Sequence, residues 1–266
     1  MSLETDYADG VVTAHLKDTV LTVTLNRPDK LNAIDLRVVS ALVDIQRRIT
    51  DRRDIHVVVF RGAGRVFSAG ADLHHIDSVY KDPRQSRLYL NTLRDACMGF
   101  EHLRQPVIAA VHGMVLAGGL EVMLACDLVV AEESTRIGDQ HMNWGFIAGG
   151  GSTQRLPRWI GPMCARDLLY TGRWVTAREA RDMGLVSRVV DDGTLDEAIL
   201  EFATDLAMRS PDALARTKAL VRHTQEMPLE QGLDIEIETV MSYYAQPEFA
   251  EAMNGFKTRT AKDFRK

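Results

Sequence analysis

The stretch that decides the fold runs from residue 113 to residue 121 and reads Gly-Met-Val-Leu-Ala-Gly-Gly-Leu-Glu. It joins an apolar run at residues 107–111, which is typical of a buried strand, to a helix-like run that begins at Glu121. The Gly118-Gly119 pair lets the backbone pass close to a ligand, and the first N–H groups of a new helix lack partners within it. Such a turn can hold an anionic oxygen, and the Glu121 carboxylate lies within one helical turn of it.

A second small-residue loop lies upstream, at residues 64–73, and reads Gly-Arg-Val-Phe-Ser-Ala-Gly-Ala-Asp-Leu. Three further motifs accompany the two loops: Asn26-Arg27-Pro28, Asn32-Ala33, and Gly-Gly-Gly-Ser-Thr-Gln-Arg-Leu-Pro at residues 149–157. In their order and spacing these motifs resemble the crotonase superfamily, also called the enoyl-CoA hydratase/isomerase family. The resemblance runs from about Val11 to the C-terminus.

The order of apolar runs predicts an α/β fold with a substantially parallel sheet. A hairpin is expected at residues 11–25, followed by a helix at residues 35–50 with Asp35 as a candidate N-cap. The later predicted elements are strands at residues 57–60, 107–111, 128–131 and 186–190 and helices at residues 85–103 and 121–126. The resemblance sharpens this expectation to a crotonase-like spiral of repeated ββα units.

The pattern becomes almost wholly helical from Leu195 onward, in segments punctuated by Pro211, Pro228 and Pro247. A helix predicted at residues 229–244 carries a broad apolar face that needs cover. By resemblance, residues 1–195 form the spiral core with the active site. Residues 196–266 form a C-terminal helical region for oligomerisation and closure of the CoA site. The resemblance also implies a homotrimer or a dimer of trimers.

Composition narrows the class of protein. A chain of 266 residues with 45% hydrophobic and 26% charged residues can bury one sizeable core. The net charge of −5 gives no general electrostatic reason to expect nucleic acid. The N-terminal segment lacks an apolar signal region, no apolar run is long enough to span a bilayer, and the three cysteines show neither disulfide nor metal spacing. These features predict a cytoplasmic protein without a membrane or nucleic acid partner.

The resemblance assigns the chemistry to a CoA thioester whose carbonyl oxygen gains negative charge during the reaction. Two preorganised backbone N–H groups stabilise that charge more in the transition state than in the ground state. The family places these donors at the positions of Ala71 and Gly118 and the first of two catalytic glutamates at Glu121. The second glutamate falls at His141 when residues are counted back from Gly145. An imidazole also donates and accepts protons near neutral pH, so a histidine at this position still allows the hydration reaction.

Three interpretations of His141 compete. It is an acid/base partner of Glu121, it binds a polar group of the substrate, or it is a satisfied histidine while Glu121 alone moves a proton. Asp139 could orient His141 or the loop, and a turn residue after Gly138 is an equal alternative. Gly149 occupies a position where some family isomerases and dehalogenases carry a catalytic aspartate, which weakens those two reactions as candidates.

Contacts to the substrate follow from the resemblance alone. Basic side chains would meet the phosphates of CoA, and backbone groups of the small-residue loops would meet adenine. The candidate substrate and CoA contacts are Arg27, Lys30, Ala69, Gly70, Asp72, Leu73, Gly119, Trp144, Gly149, Phe256 and Arg259. Phe256 and Arg259 would arrive from the C-terminal helix of a neighbouring subunit. Further candidates for the acyl pocket are His74, His75, Tyr80 and Phe146.

The leading functional hypothesis is a lyase that reversibly adds water to a 2-enoyl-CoA thioester. An enoyl-CoA isomerase using Glu121 without water is the nearest alternative, and a hydrolase of a CoA ester or β-diketone that uses His141 is the third. A non-catalytic acyl-CoA-binding protein is the alternative from a different class, and the presence of Glu121 and both loops argues against it. None of these reactions requires a metal or a cofactor, since CoA is part of the substrate.

Overall fold

The computed structural model describes residues 5–258 and residue 265. The strands are β1 (Asp6–Tyr7), β2 (Val12–Lys17), β3 (Val20–Leu25), β4 (Val57–Gly62), β5 (Val107–Val111), β6 (Met114–Leu116), β7 (Leu128–Glu132), β8 (Arg136–Gly138), β9 (Val175–Thr176) and β10 (Arg188–Val190). The helices are α1 (Leu36–Ile49), α2 (Leu73–Val79), α3 (Pro83–His102), α4 (Gly118–Met123), α5 (Ser152–Thr171), α6 (Ala177–Asp182), α7 (Leu195–Ala207), α8 (Pro211–His223), α9 (Leu229–Tyr244) and α10 (Pro247–Thr258).

The larger sheet is mostly parallel. Within residues 5–258 its strand order is β1-β2-β3-β4-β5-β7-β10. The predicted hairpin is confirmed by β2 and β3, which pair antiparallel. The pairs β3–β4, β4–β5, β5–β7 and β7–β10 are parallel. Helix α1 begins after Asp35, whose carboxylate accepts from the Val38 N–H as an N-cap. The predicted α/β fold with a substantially parallel sheet is confirmed.

Successive segments repeat a strand–strand–helix unit. After β5 come β6 and α4, and after β7 come β8 and α5. In a smaller sheet, β6 pairs parallel with β8, and isolated bridges join Ser68 to Val115 and Ile34 to Ala71. Each of these units therefore contributes one strand to the larger sheet and one to the smaller sheet, as predicted for the ββα spiral. The bridge between Ser68 and Val115 brings the loop at residues 64–73 next to β6, and so close to the turn before α4.

Helix α4 begins at Gly118, before the predicted start at Glu121. Glycine generally disfavours a helix, but here the packing around the helix leaves no room for a side chain at Gly119. A Cβ on Gly119 would lie 2.7 Å from the carbonyl oxygen of Ser68. Ala117 precedes the helix with a φ of +48°, which turns the chain sharply after β6. The first turn of α4 is therefore built from glycine, with Glu121 inside it.

Helices cover both faces of the larger sheet. Alternate residues of β4 point in opposite directions. Val58 and Phe60 pack with α1 and α3, whereas Val57 and Val59 pack with α7. Burial of both faces is typical of parallel sheets. The predicted domain boundary at residues 195/196 falls at the first residue of α7, a helix that covers the sheet.

The C-terminal helices follow the proline pattern. The predicted helix at residues 229–244 is confirmed by α9, and Pro211 and Pro247 are the first residues of α8 and α10. Lys218 of α8 ties this region to the core, because its Nζ lies 2.6 Å from Asp127 Oδ2. In the part of the chain described, no helix has both the length and the apolar character needed to cross a bilayer.

Candidate active site

Two backbone N–H groups meet where the small-residue loops approach each other. An ideal Cβ on Gly118 would lie 3.0 Å from the Ala71 nitrogen, and one on Gly70 would lie 3.0 Å from the Gly118 nitrogen. Among the described residues, no hydrogen bond uses the N–H of Ala71 or of Gly118 as a donor. The structure thus brings together the two donors that the resemblance implied, with both N–H groups available to a ligand.

The loop that carries Ala71 is held by buried polar side chains. Asn32 Nδ2 donates to the carbonyl oxygens of Val66 at 2.9 Å and Phe67 at 3.1 Å, and also to that of Ala63. Ser68 Oγ donates to Asn32 O at 2.9 Å and accepts from the Gly70 N–H at 3.1 Å. These bonds fix the loop before any ligand arrives. Ser68 was not among the predicted site residues, and Asn32 entered only as a motif, because neither side chain carries the chemistry.

Glu121 is a buried carboxylate with one oxygen held and one available. It is 2% exposed, and its Oε1 accepts from the N–H groups of Gly150 at 2.7 Å and Ser152 at 3.1 Å. No hydrogen bond within the described residues reaches Oε2. Burial raises the pKa of Glu121, whereas the Ser152 N–H, the charge of His141 and the Gly150 N–H oppose that rise. The carboxylate is therefore oriented and made more basic than an exposed glutamate.

His141 forms a dyad with Asp139. The Nδ1 atom of His141 lies 3.0 Å from Asp139 Oδ1, and Asp139 is only 1% exposed. Burial by itself lowers the pKa of His141, but the hydrogen bond to Asp139 and the charges of Asp139 and Glu121 raise it above its ordinary value. The charges of His141 and Glu121 act on each other's pKa. The predicted partners thus share one electrostatic environment.

Arg27 and Asp72 form an ion pair within the loops. Arg27 Nη2 lies 2.9 Å from Asp72 Oδ2, and Arg27 Nη1 lies 3.4 Å from Asp35 Oδ2. Asp72 also caps α2 by accepting from the N–H groups of His74 and His75. Both side chains therefore stabilise the loop that carries Ala71. Their binding to CoA stays a prediction.

The other predicted contacts are backbone groups and a lysine near the small-residue loop, and a set of exposed apolar side chains. The Ala69 N–H donates to Leu31 O at 2.9 Å, which joins the loop at residues 64–73 to the segment after Pro28, and Lys30 is exposed in that segment. Leu73, Trp144 and Phe256 are 63%, 77% and 80% exposed. Arg259 lies outside the described residues. The exposed apolar side chains have no cover within the described part of this chain, as expected for residues that meet a ligand or a subunit.

Gly149 sits against α3. An ideal Cβ at this residue would lie 2.9 Å from Leu90 Cδ2, so a side chain here requires Leu90 to move. The neighbouring Gly150 is still tighter, because its Cβ would lie 2.5 Å from Glu121 Oε2. The glycines therefore let the start of α5 approach Glu121.

Comparisons with known proteins agree with this geometry. The model of the enoyl-CoA hydratase/isomerase family matches residues 15–266. Over 247 residues the chain is 34% identical to the "Probable enoyl-CoA hydratase" of Rhizobium meliloti (strain 1021), covering 91% of this chain and 93% of the relative. It is 29% identical to the peroxisomal Delta(3,5)-Delta(2,4)-dienoyl-CoA isomerase of Arabidopsis thaliana, covering 88% of each.

Solved structures give the same result. The crystal structure of enoyl-CoA hydratase from Bacillus anthracis matches with a TM-score of 0.91 and 33% identity, covering 96% of this chain and 98% of that one. The chain therefore belongs to the enoyl-CoA hydratase/isomerase family of the crotonase superfamily.

Proposed function

We propose that this protein catalyses the reversible addition of water to a 2-enoyl-CoA thioester. The observation that carries the proposal is the pair of available N–H groups on Ala71 and Gly118, of which Gly118 lies in the same helical turn as the buried Glu121. Relatives named enoyl-CoA hydratase, which match most of the chain, support this reaction.

The two N–H groups act on the thioester oxygen. As water adds to C3, electrons move toward the carbonyl and its oxygen gains negative charge. Donors fixed by Asn32 and Ser68 are in place before that charge develops, so they lower the barrier without reorganising. Glu121 and His141 then have only protons to move.

The proton transfers balance over one turnover. Glu121 takes a proton from water as the water oxygen bonds to C3, and the C2=C3 double bond becomes a single bond. The imidazolium of His141 gives a proton to C2, which yields a 3-hydroxyacyl-CoA. Transfer of the proton from Glu121 to His141 restores both groups. The proposed reaction uses no cofactor, because CoA is part of the substrate.

Double-bond isomerisation is the second candidate. It needs one base that removes a proton from one carbon and returns it to another. Glu121 Oε2 can serve as that base, because no hydrogen bond from the described residues reaches it. Isomerases occur among the relatives of this chain. The hydratase reaction is preferred because the His141–Asp139 dyad supplies a second proton carrier, which isomerisation by one glutamate does not need.

The purified protein should hydrate crotonyl-CoA and a longer 2-enoyl-CoA. Loss of the absorbance of the conjugated thioester, with formation of a 3-hydroxyacyl-CoA, is the expected result. Conversion of a 3-enoyl-CoA to a 2-enoyl-CoA without hydration would replace the proposal with the isomerase, and release of free CoA would replace it with the hydrolase.

The C-terminal helices supply the proposed subunit interface. Leu229, Leu233, Ile237 and Met241 recur every four residues on α9, and all four are exposed. An apolar stripe of this length is typical of a surface that another subunit covers. We therefore expect sedimentation velocity to give the mass of a trimer or of twice a trimer, and a stable monomer would contradict the interface.

CoA is proposed to bind along residues 69–73 beside Lys30, with Phe256 arriving from the C-terminal helix of a neighbouring subunit. Leu73 and Trp144 would then contact the acyl chain or the pantetheine arm. The location we propose is the cytoplasm, where the thiols of Cys97, Cys126 and Cys164, free in the structure, remain reduced. Fractionation of the native host tests that location.

A further inference from the structure

Asp139 is a buried carboxylate that uses one of its two oxygens for a hydrogen bond within the described residues. Its Oδ1 bonds to His141, but its Oδ2 is buried without a hydrogen-bond partner among the described residues. A buried charged oxygen without a partner destabilises a fold, because it has lost its hydration. Among the described residues, His141 is therefore the hydrogen-bond partner of the Asp139 carboxylate.

The backbone fixes the dyad relative to the proposed oxyanion turn. The Ala117 N–H donates to Gly138 O at 3.0 Å, and this bond joins the residue before Gly118 to the residue before Asp139. Gly138 ends β8, which pairs with β6 on one side and β9 on the other. Asp139 therefore directly follows a strand that is paired on both sides, and the Ala117–Gly138 bond holds the end of that strand beside the turn that carries the Gly118 N–H.

Asp139 also selects the form of the imidazole. An ionised carboxylate only accepts hydrogen bonds, so the Nδ1 atom of His141 must carry the proton in the 3.0 Å contact. The remaining nitrogen, Nε2, is then the atom that gains and loses a proton during turnover. The charged groups that act on His141 are Asp139, which follows β8, and Glu121 of α4.

We propose that Asp139 is a positioning residue that holds His141 by Nδ1 and stabilises its imidazolium, so that Nε2–H delivers the proton to C2 of the substrate. This inference rests on the proposed hydration. The raised pKa of His141 agrees with the geometry. Since the acid form is the working form, activity falls as the pH rises through that pKa. Removing the charge of Asp139 lowers the pKa of His141, so the fall begins at a lower pH.

The test replaces Asp139 with asparagine. Asp139→Asn keeps the size of the side chain and an acceptor for Nδ1–H but removes the charge. We expect the alkaline limb of the kcat profile for crotonyl-CoA hydration to move down by about one pH unit or more. KM should stay within about twofold, since CoA contacts are untouched. His141→Gln provides the reference for complete loss of the acid. Asp44→Asn, at a half-exposed carboxylate paired with Arg48 on α1, is the control and should leave the limb in place.

A second measurement needs no substrate. Titration of the His141 ring nitrogens by NMR should show the Nδ1–H form in the wild-type protein, with a pKa above that in Asp139→Asn. An unmoved limb with an unchanged ring titration, or a uniform loss of kcat at every pH, would overturn the proposal and leave Asp139 a structural residue. If the wild-type protein hydrates no enoyl-CoA, the proposed function fails, while the ring titration still decides whether Asp139 controls His141.

Discussion

Replacing Glu121 with glutamine is expected to lower kcat for crotonyl-CoA hydration by about a thousandfold or more. The loss of a general acid/base group costs roughly 10²- to 10⁴-fold, and Glu121 is the only residue to which the mechanism assigns the proton of water. The glutamine side chain has the same shape as that of Glu121, and its carbonyl oxygen can still accept from the Gly150 and Ser152 N–H groups. Substrate binding should therefore survive, and the effect should appear in kcat.

Stability separates this outcome from misfolding. Burial disfavours the charged form of Glu121, so a neutral amide should leave the thermal midpoint unchanged or raise it. Glu197→Gln, at an exposed glutamate in the first turn of α7, is the matched control and should leave kcat unchanged. Hydration by Glu121→Gln at more than a tenth of the wild-type rate would remove Glu121 from the mechanism.

Replacing Gly118 with alanine is expected to lower kcat/KM by about 10²- to 10³-fold, the effect typical of losing one oxyanion donor. The new methyl carbon would lie 3.0 Å from the Ala71 nitrogen, in the space that the thioester oxygen needs. The oxygen would then lose the Ala71 N–H, while Glu121 and His141 remain. Steady-state kinetics with crotonyl-CoA measures the effect, and circular dichroism should show an unchanged fold.

The control for this variant is another glycine within a helix. Gly232 lies in α9, where an ideal Cβ has no heavy atom within 4 Å, so Gly232→Ala should keep full activity. If Gly118→Ala hydrates crotonyl-CoA within about threefold of the wild-type rate, the thioester oxygen does not bind between Ala71 and Gly118. The assignment of the oxyanion site would then be wrong, whatever the result for Glu121.

Elements with a clear period could be predicted from the sequence. The hairpin at β2 and β3 shows alternation, and α1 combines helical spacing with an Asp35 cap. The predicted start of α4 was wrong because glycine usually signals a turn, whereas here Gly119 permits contact with Ser68 O. That contact joins residues far apart in the chain, so no local pattern carries it.

The candidate site residues also differ in how far the sequence could predict them. Spacing within a motif placed Gly118 relative to Glu121, and His141 relative to Gly145. The ion pairs of Arg27 could not be predicted, because its partners Asp35 and Asp72 are set by the fold and not by a local pattern. The positioning role that we propose for Asp139 depends on the burial of its Oδ2 atom, which is a property of the folded structure and cannot be predicted from a local sequence pattern.

The most direct test of the central claim is hydration in water enriched in ¹⁸O. Wild-type protein is incubated with crotonyl-CoA, and the product is analysed by mass spectrometry beside a sample with Glu121→Gln. We predict 3-hydroxybutyryl-CoA with ¹⁸O on its C3 hydroxyl from the wild-type protein, and almost none from the variant. Crotonyl-CoA that binds but stays unlabelled and unconverted, together with conversion of a 3-enoyl-CoA, would contradict hydration and establish the isomerase instead.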